Sequence, residues 1–175
     1  ALTPIGKNLG EYWTGLLNGE SGSDWITRFD AAKFKTRFAC ELKGYDPQYY
    51  FERKEARNLD PYAQYGMIAA EEAFQHAGLA DAEIDKERAG IIWASGIGGI
   101  DTFMNEIVGF LGNDENPRFS PFFIPKMISD IAAGMMSMKY GYQGPNYGTV
   151  SACASSTNAL IDAYNLIRLG TADLF

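Results

Sequence analysis

The sequence is poor in the residues that disulfide scaffolds and metal sites use. Of its 175 residues, two are cysteine and one is histidine. Cys40 and Cys153 belong to no C-x-x-C pair and have no histidine at ligand spacing, so we expect neither a disulfide framework nor a zinc site. With His76 as its only imidazole, the chain cannot by itself complete a mechanism that uses two.

Long apolar runs and excess positive charge are also missing. No run approaches the roughly 18 apolar residues that cross a bilayer, and the N-terminus lacks the basic-then-apolar order of a signal peptide. We therefore expect a soluble, cytoplasmic protein with no membrane span. The formal net charge is -7, which disfavours a general nucleic-acid binder, because neutralising phosphates requires clustered lysine and arginine.

What the sequence does contain is enough apolar surface for one packed domain. Hydrophobic residues make up 46% of the chain, and a chain of this length buries about 70% of the surface that its unfolded form exposes. Short extended segments alternate with helical ones, and no linker separates them. This order predicts a single α/β domain.

Apolar spacing and turn residues locate the main elements. Helices are expected from about 9 to 18, from Pro61 to about 77 behind an Asp60 cap, over 101–111, over 126–140 and over 155–169. Strands are expected over 89–94 and 146–152. The prolines of the segment 121–125 predict no regular structure there. The helix over 126–140 should bury Met138, and the last helix should turn Leu160, Ala163 and Tyr164 inward.

Cys153 is the strongest candidate for chemistry. It lies between the strand 146–152 and the helix that follows, where free N–H groups and the helix dipole favour thiolate over thiol. Its small neighbours, such as Ala152 and Ala154, let a substrate approach the sulfur, and backbone amides there can point at an oxyanion. The alternative is a small buried structural cysteine.

Three motifs carry a resemblance to a known family. They are Ser95-Gly96-Ile97-Gly98-Gly99, Ser120-Pro121-Phe122-Phe123-Ile124-Pro125, and Gly144-Pro145 followed by Val150-Ser151-Ala152-Cys153-Ala154-Ser155-Ser156. In this order and at this spacing they resemble the β-ketoacyl-acyl carrier protein synthases, especially the type II elongating condensing enzymes. The family's opening strand is missing, and the chain stops where the family continues into a glycine-rich strand. Residues 1–175 are therefore expected to be the N-terminal part of a condensing-enzyme domain.

The resemblance implies a fold and a reaction. The fold is a thiolase-like layered α-β-α arrangement, of which this chain would supply the first half. Cys153 would take an acyl group from an acyl carrier protein, and the acyl-enzyme would condense with malonyl-carrier protein as carbon dioxide is lost. No metal or redox cofactor is implied. The family's two histidines lie beyond residue 175 and His76 matches neither, so the isolated chain is expected to be inactive.

The resemblance also assigns roles to other positions. Ile97 and Phe123 match residues that line the acyl-chain pocket, with ordinary core packing as the alternative. Lys54, Arg57 and Arg118 match positions in a basic patch for the acidic carrier protein, and Arg53 and Lys126 are further candidates. The alternative for each of these charges is ordinary solvated surface. The strand 146–152 matches one that pairs with its symmetry mate, so a homodimer is expected, with Phe123 reaching across its interface.

Two other functions stay open. A polyketide ketosynthase is a close relative of the first hypothesis, and a noncatalytic scaffold or carrier-binding half is a different class. Nucleotide binding is rejected, because the loop that begins at Gly96 lacks the last glycine of the dinucleotide fingerprint and no P-loop is present.

Overall fold

The computed structural model describes residues 1–113 and 116–175, which contain seven α-helices, four short strands and four short 3₁₀ helices. In chain order the α-helices and strands are α1 (Leu9–Leu17), β1 (Asp24–Trp25), β2 (Phe38–Ala39), α2 (Arg53–Arg57), α3 (Pro61–His76), β3 (Ile91–Ala94), α4 (Ile100–Leu111), α5 (Phe123–Met127), α6 (Ile131–Tyr140), β4 (Asn146–Thr149) and α7 (Ser155–Arg168). Within these residues no helix is long and apolar enough to cross a membrane.

The two long helices begin and end where the sequence predicts. At the start of α3, the Asp60 carboxylate accepts a hydrogen bond from the Tyr62 N–H at 3.2 Å, and Pro61 takes the first helical position. Gly78 follows its end with a φ of 69°, and Gly170 follows α7 with a φ of 72°. Both glycines adopt the left-handed conformation that stops a helix at low steric cost.

Two pairs of strands form the sheets. β1 and β2 pair antiparallel, whereas β3 and β4 pair parallel with Ile91 opposite Asn146 and Ala94 opposite Thr149. Because β3 and β4 run in the same direction, the loops that follow them leave at the same edge of the sheet.

The core lies between α3, α6 and one face of β3. Its buried residues are Leu59, Ala63, Met67, Ala132 and Met136, and Trp93 packs against them. Gly66 permits this packing, since a Cβ there would lie 2.8 Å from the Trp93 ring. Side chains alternate along a strand, so Ile92 and Ala94 face away from Trp93. α7 contacts both β3 and β4.

An apolar cavity of about 560 Å³ lies beside β3. It is lined by residues of α3 such as Phe74, by the strand residue Trp93, and by Leu160 and Ala163 of α7. Leu160 is 72% exposed and Tyr164 is 58% exposed, so the prediction that α7 turns both of them into the packed core is wrong.

Three segments also differ from their predicted structure. The segment 121–125, predicted to have no regular structure, runs into α5, and Pro125 is the third residue of that helix. Proline is tolerated there because the first N–H groups of a helix have no intrahelical acceptor, so its missing N–H costs no hydrogen bond. The predicted helix over 126–140 is interrupted at Ile128, whose ψ of 141° is extended, and Met138 is 69% exposed. The strand predicted over 146–152 ends at Thr149.

Candidate active site

The glycine loop 95–99 and the turn that carries Cys153 meet at the carboxyl edge of the parallel strands. The Ser95 N–H donates to the Thr149 carbonyl at 3.4 Å, which extends the ladder by one step. A Cβ on Gly96 would lie 3.9 Å from the Cα of Ala152. Ligands of parallel α/β sheets bind at this edge, so the structure brings two of the predicted motifs together at a suitable place.

Cys153 is exposed in a short turn, Ala152–Ala154, directly before α7. The described residues therefore leave its side chain open to solvent and do not bury it. Among the described residues, the Cys153 N–H has no hydrogen-bond acceptor, which leaves it available for an oxyanion formed at the sulfur's substrate. The sulfur and this donor belong to the same residue.

The backbone before the cysteine is strained. Ala152 has a φ of 49°, and no other non-glycine residue in the described ranges has a positive φ. This conformation costs an L-residue about 1–2 kcal/mol, and such strain is held only where the surroundings fix it, commonly at functional sites.

Hydroxyl and amide side chains tie this turn to its neighbours. The Thr149 hydroxyl donates to the Ser155 carbonyl at 2.9 Å, and the Asn158 amide donates to the Ser151 hydroxyl at 2.6 Å. Ser155 is buried, and its hydroxyl bonds within the turn. Sequence reasoning missed these roles, although a serine two residues after the cysteine at a helix start was an available signal.

Ile97 lies at the exposed end of the glycine loop, with 74% of its surface accessible. The loop is fastened to α5, because the Gly99 N–H donates to the Met127 carbonyl at 2.8 Å. Phe123, on the same helix, is half-buried and stacks on Phe119 with ring centroids 5.2 Å apart. The loop that carries Ile97 is thus beside the cysteine turn. Phe123 belongs to an aromatic cluster with Phe103 of α4 and with Phe119, which precedes α5.

Four of the five predicted basic residues meet in one cleft of about 940 Å³. Its cations are Arg53, Lys54 and Arg57 of α2 and Lys126 of α5, and no carboxylate of the described chain lines it. We call this surface the basic cleft. Arg118 is exposed but does not line it. The three cations of α2 and Lys126, about 70 residues later in the sequence, therefore form one surface.

Two buried polar side chains, Gln64 and Asp60, hold these elements in place. Sequence reasoning predicted Asp60 as the cap of α3 but missed its second bond and the role of Gln64. Gln64 donates to the Ala56 carbonyl at 2.8 Å, which fixes the end of α2. The Asp60 carboxylate, 2% exposed, accepts from the Thr102 N–H at 2.8 Å and so caps α4 as well as α3. Asp60 thereby fixes the helix that begins directly after the glycine loop.

His76 is exposed on the last turn of α3, as predicted. Within residues 1–113 and 116–175, no group of three or more metal-ligating side chains comes together.

The sequence has clear relatives. Residues 1–175 match the family described as "Beta-ketoacyl synthase, N-terminal domain". The chain is 41% identical over 174 residues to 3-oxoacyl-[acyl-carrier-protein] synthase 2 of Staphylococcus aureus, and 39% identical over 173 residues to the Synechocystis protein of that name. These alignments cover 99% and 98% of this chain but 43% and 41% of the relatives. The chain therefore spans about two fifths of their length.

Solved structures agree on the fold. The ishigamide ketosynthase/chain length factor superposes with a TM-score of 0.86 at 22% identity, covering 98% of this chain and 43% of that one. A beta-ketoacyl synthase from Burkholderia phymatum gives a TM-score of 0.77 at 24% identity, covering 98% and 42%. The predicted thiolase-like fold is confirmed, and the chain covers its first half. With the family match over its whole length, the chain belongs to the β-ketoacyl synthase family, as an N-terminal domain.

Proposed function

We propose that this chain is the nucleophile-bearing part of a β-ketoacyl-acyl carrier protein synthase of fatty acid biosynthesis. The observation that carries the proposal is the exposed Cys153 on a strained turn at the start of α7, beside the glycine loop. A noncatalytic scaffold would not require an exposed cysteine on a strained turn. The 41% identity to 3-oxoacyl-[acyl-carrier-protein] synthase 2 favours a fatty acyl over a polyketide substrate.

The first step is acyl transfer to Cys153. The thiolate attacks the carbonyl carbon of an acyl thioester on the carrier protein, and the charge moves to the carbonyl oxygen. The free Cys153 N–H donates to that oxyanion and so stabilises the tetrahedral intermediate. The intermediate collapses as the carbon–sulfur bond to the carrier breaks, and the carrier thiolate leaves and takes up a proton.

The second step is condensation with malonyl-carrier protein. Loss of carbon dioxide leaves the electron pair on the carbon next to the thioester, and this carbon attacks the acyl group on Cys153. A carbon–carbon bond forms, the bond to Cys153 breaks, and the thiolate is regenerated. The resemblance assigns this step's two histidines to residues outside this chain. We therefore expect the isolated 175 residues to form no condensation product.

Ile97 and Phe123 would line the channel for the acyl chain. Each methylene that leaves water contributes about 0.8 kcal/mol, so an apolar channel gives longer chains a real gain in binding. Ile97 is suited to this role because it is exposed on the loop that lies beside the cysteine turn.

The basic cleft would dock the acidic carrier protein. Lys54 and Arg57 supply part of its charge from α2, and Lys126 supplies more from α5. Because the whole chain has a charge of -7, a local positive surface is needed to attract an acidic partner. Arg118 would contribute at longer range from outside the cleft.

A homodimer would cover the free edge of β4. In the described chain, β4 pairs only with β3, and an unpaired strand edge is prone to unwanted pairing. Val150 and Ile161, which are 60% and 49% exposed, would be covered in the same contact. In such a dimer, Phe123 would reach toward the partner. A cytoplasmic location is a separate prediction of the sequence. Sedimentation equilibrium tests the dimer, and a monomer at every concentration would contradict it.

The function is tested by mixing the full natural polypeptide with acyl-carrier protein and measuring intact mass, then adding malonyl-carrier protein and measuring the β-ketoacyl product. We expect one acyl group per chain, lost in Cys153→Ala and kept in Cys40→Ala, which removes the other exposed thiol. Acylation that persists in Cys153→Ala would refute the assignment of the nucleophile. Acylation without product would refute the synthase.

The docking role is tested by charge reversal. The double variant Lys54→Glu with Arg57→Glu should raise the KM for acyl-carrier protein about tenfold, which is at the lower end of the effects of electrostatic steering. The KM of this variant should also depend less on salt concentration. Lys33→Glu with Lys35→Glu changes the net charge equally at exposed positions before β2 and serves as the control. Equal effects from both pairs would show that only net charge matters.

A further inference from the structure

The Ser155 hydroxyl closes the turn around the strained residue. Its oxygen accepts a hydrogen bond from the Ser151 N–H at 2.8 Å and donates one to the Ala152 carbonyl at 2.7 Å. Ser155 itself is 3% exposed, so water cannot easily replace either bond. The two partners lie on either side of the φ angle of Ala152 that is positive.

This pair of bonds needs a hydroxyl. One oxygen must donate to a carbonyl and accept from an N–H in the same small volume, and among short side chains only serine and threonine do both. Alanine at this position would leave the Ser151 N–H without its partner and remove one of the Ala152 carbonyl's two donors, because the Ser155 N–H also bonds that carbonyl. The strained conformation would then lose a restraint that holds it.

Ser155 is in turn fixed to the sheet. The Thr149 hydroxyl, at the end of β4, donates to the Ser155 carbonyl at 2.9 Å. Hydrogen bonds through Ser155 therefore fix the position of the cysteine turn relative to β4. A substitution that displaces the turn would displace the Cys153 sulfur and the Cys153 N–H together.

We propose that Ser155 is a positioning residue for Cys153: its hydroxyl clamps the turn 151–154 in the strained form that presents the sulfur and the free N–H to the substrate. The inference rests on the proposed function, since it concerns the same nucleophile. Ser155 contacts the turn and not the reacting atoms, so its effect passes through Cys153.

The test measures the reactivity of Cys153 in Ser155→Ala and Ser155→Thr, using the full natural polypeptide and iodoacetamide. Peptide mass spectrometry follows Cys153 and Cys40 in the same sample, and the exposed Cys40 is the internal control for general loosening. We expect Ser155→Ala to slow alkylation of Cys153 about tenfold, as for one lost hydrogen bond. Ser155→Thr should stay close to the parent, and Cys40 should not change.

Steady-state acyl transfer gives a second readout. Ser155→Ala should lower kcat and leave the KM for acyl-carrier protein unchanged, because the basic cleft is untouched. Thr149→Val, which nearly keeps the side-chain volume and removes the bond to the Ser155 carbonyl, should have a smaller effect in the same direction. It also replaces Ser155→Ala should that variant not fold.

The proposal is overturned if Cys153 in Ser155→Ala reacts at the parent rate, or if Cys153 and Cys40 change in parallel. If Ser155→Ala does not fold, an unchanged rate in Thr149→Val overturns it. Failure of the proposed function has a different signature, since the parent's Cys153 would then accept no acyl group from the carrier protein.

Discussion

Gly98→Ala should damage both the stability of the protein and its chemistry, because Gly98 combines a special conformation with a close contact. Its φ is 84°, and a Cβ there would lie 2.4 Å from the Met127 carbonyl oxygen and 3.1 Å from the Ser129 N. Both neighbours are backbone atoms, so no side-chain rotation can relieve the overlap. The glycine loop would have to move away from the end of α5.

Gly78→Ala is the matched control. Gly78 has a φ of 69°, but its added Cβ would meet no atom within 4 Å. Both variants carry the cost of a positive φ, about 1–2 kcal/mol, and both recover about 0.4–1 kcal/mol from the reduced entropy of the unfolded chain. Only Gly98→Ala adds a steric cost, about 1–3 kcal/mol by analogy with overpacked cores.

The assay is urea unfolding of the two variants of the full natural polypeptide at one protein concentration. We expect Gly98→Ala to lower the free energy of unfolding by about 1–3 kcal/mol more than Gly78→Ala does, with similar m-values. Because the loop adjoins Ala152, acyl transfer should fall in Gly98→Ala alone. Equal losses of stability in the two variants would refute the reasoning.

Two further predictions concern the buried Asp60 and the half-buried Tyr62. Asp60→Ala should cost about 2–3 kcal/mol of unfolding free energy in urea titrations, since the buried carboxylate also bonds the Thr102 N–H. Asp85→Ala should cost about 1 kcal/mol, because the exposed Asp85 caps only the short 3₁₀ helix Lys86–Arg88 by accepting from the Glu87 N–H. Equal costs would contradict the double cap. Burial, and then the charge of Asp60, raise the pKa of Tyr62 from 10.0 to about 12. The stability from its neutral phenol, which donates to the Ile128 carbonyl, is therefore full below pH 10 and is lost as the pH rises to about 12. The absorbance titration at tyrosinate wavelengths should lose a component near pH 12 in Tyr62→Phe; loss of one near pH 10 would refute the shift.

Local chemistry made parts of the fold predictable. The Asp60 cap, the proline after it and Gly78 set the ends of α3 within one or two residues. The same kind of signal located α7 and placed Cys153 at its start. These features depend on neighbours in sequence, so the sequence was sufficient to find them.

Features that depend on distant residues were not predictable. Leu160 and Tyr164 have helical spacing typical of an inner face, yet Leu160 borders a cavity and both are exposed. Periodicity identifies an apolar face but not what covers it. The bond from Thr102 to Asp60 joins residues 42 apart, and the addition of Lys126 to the α2 cations depends on how α5 packs.

The parallel pairing of β3 with β4 limits where residues can be inserted into or deleted from this chain. Each strand residue advances about 3.3 Å, and successive side chains point to opposite faces. Deleting one residue between Asn146 and Thr149 would therefore shift the cysteine turn by that distance and turn its side chains to the other face. Insertions and deletions should accordingly be tolerated in exposed loops such as 19–23, whereas variants between Asn146 and Cys153 should differ from this chain by substitution only.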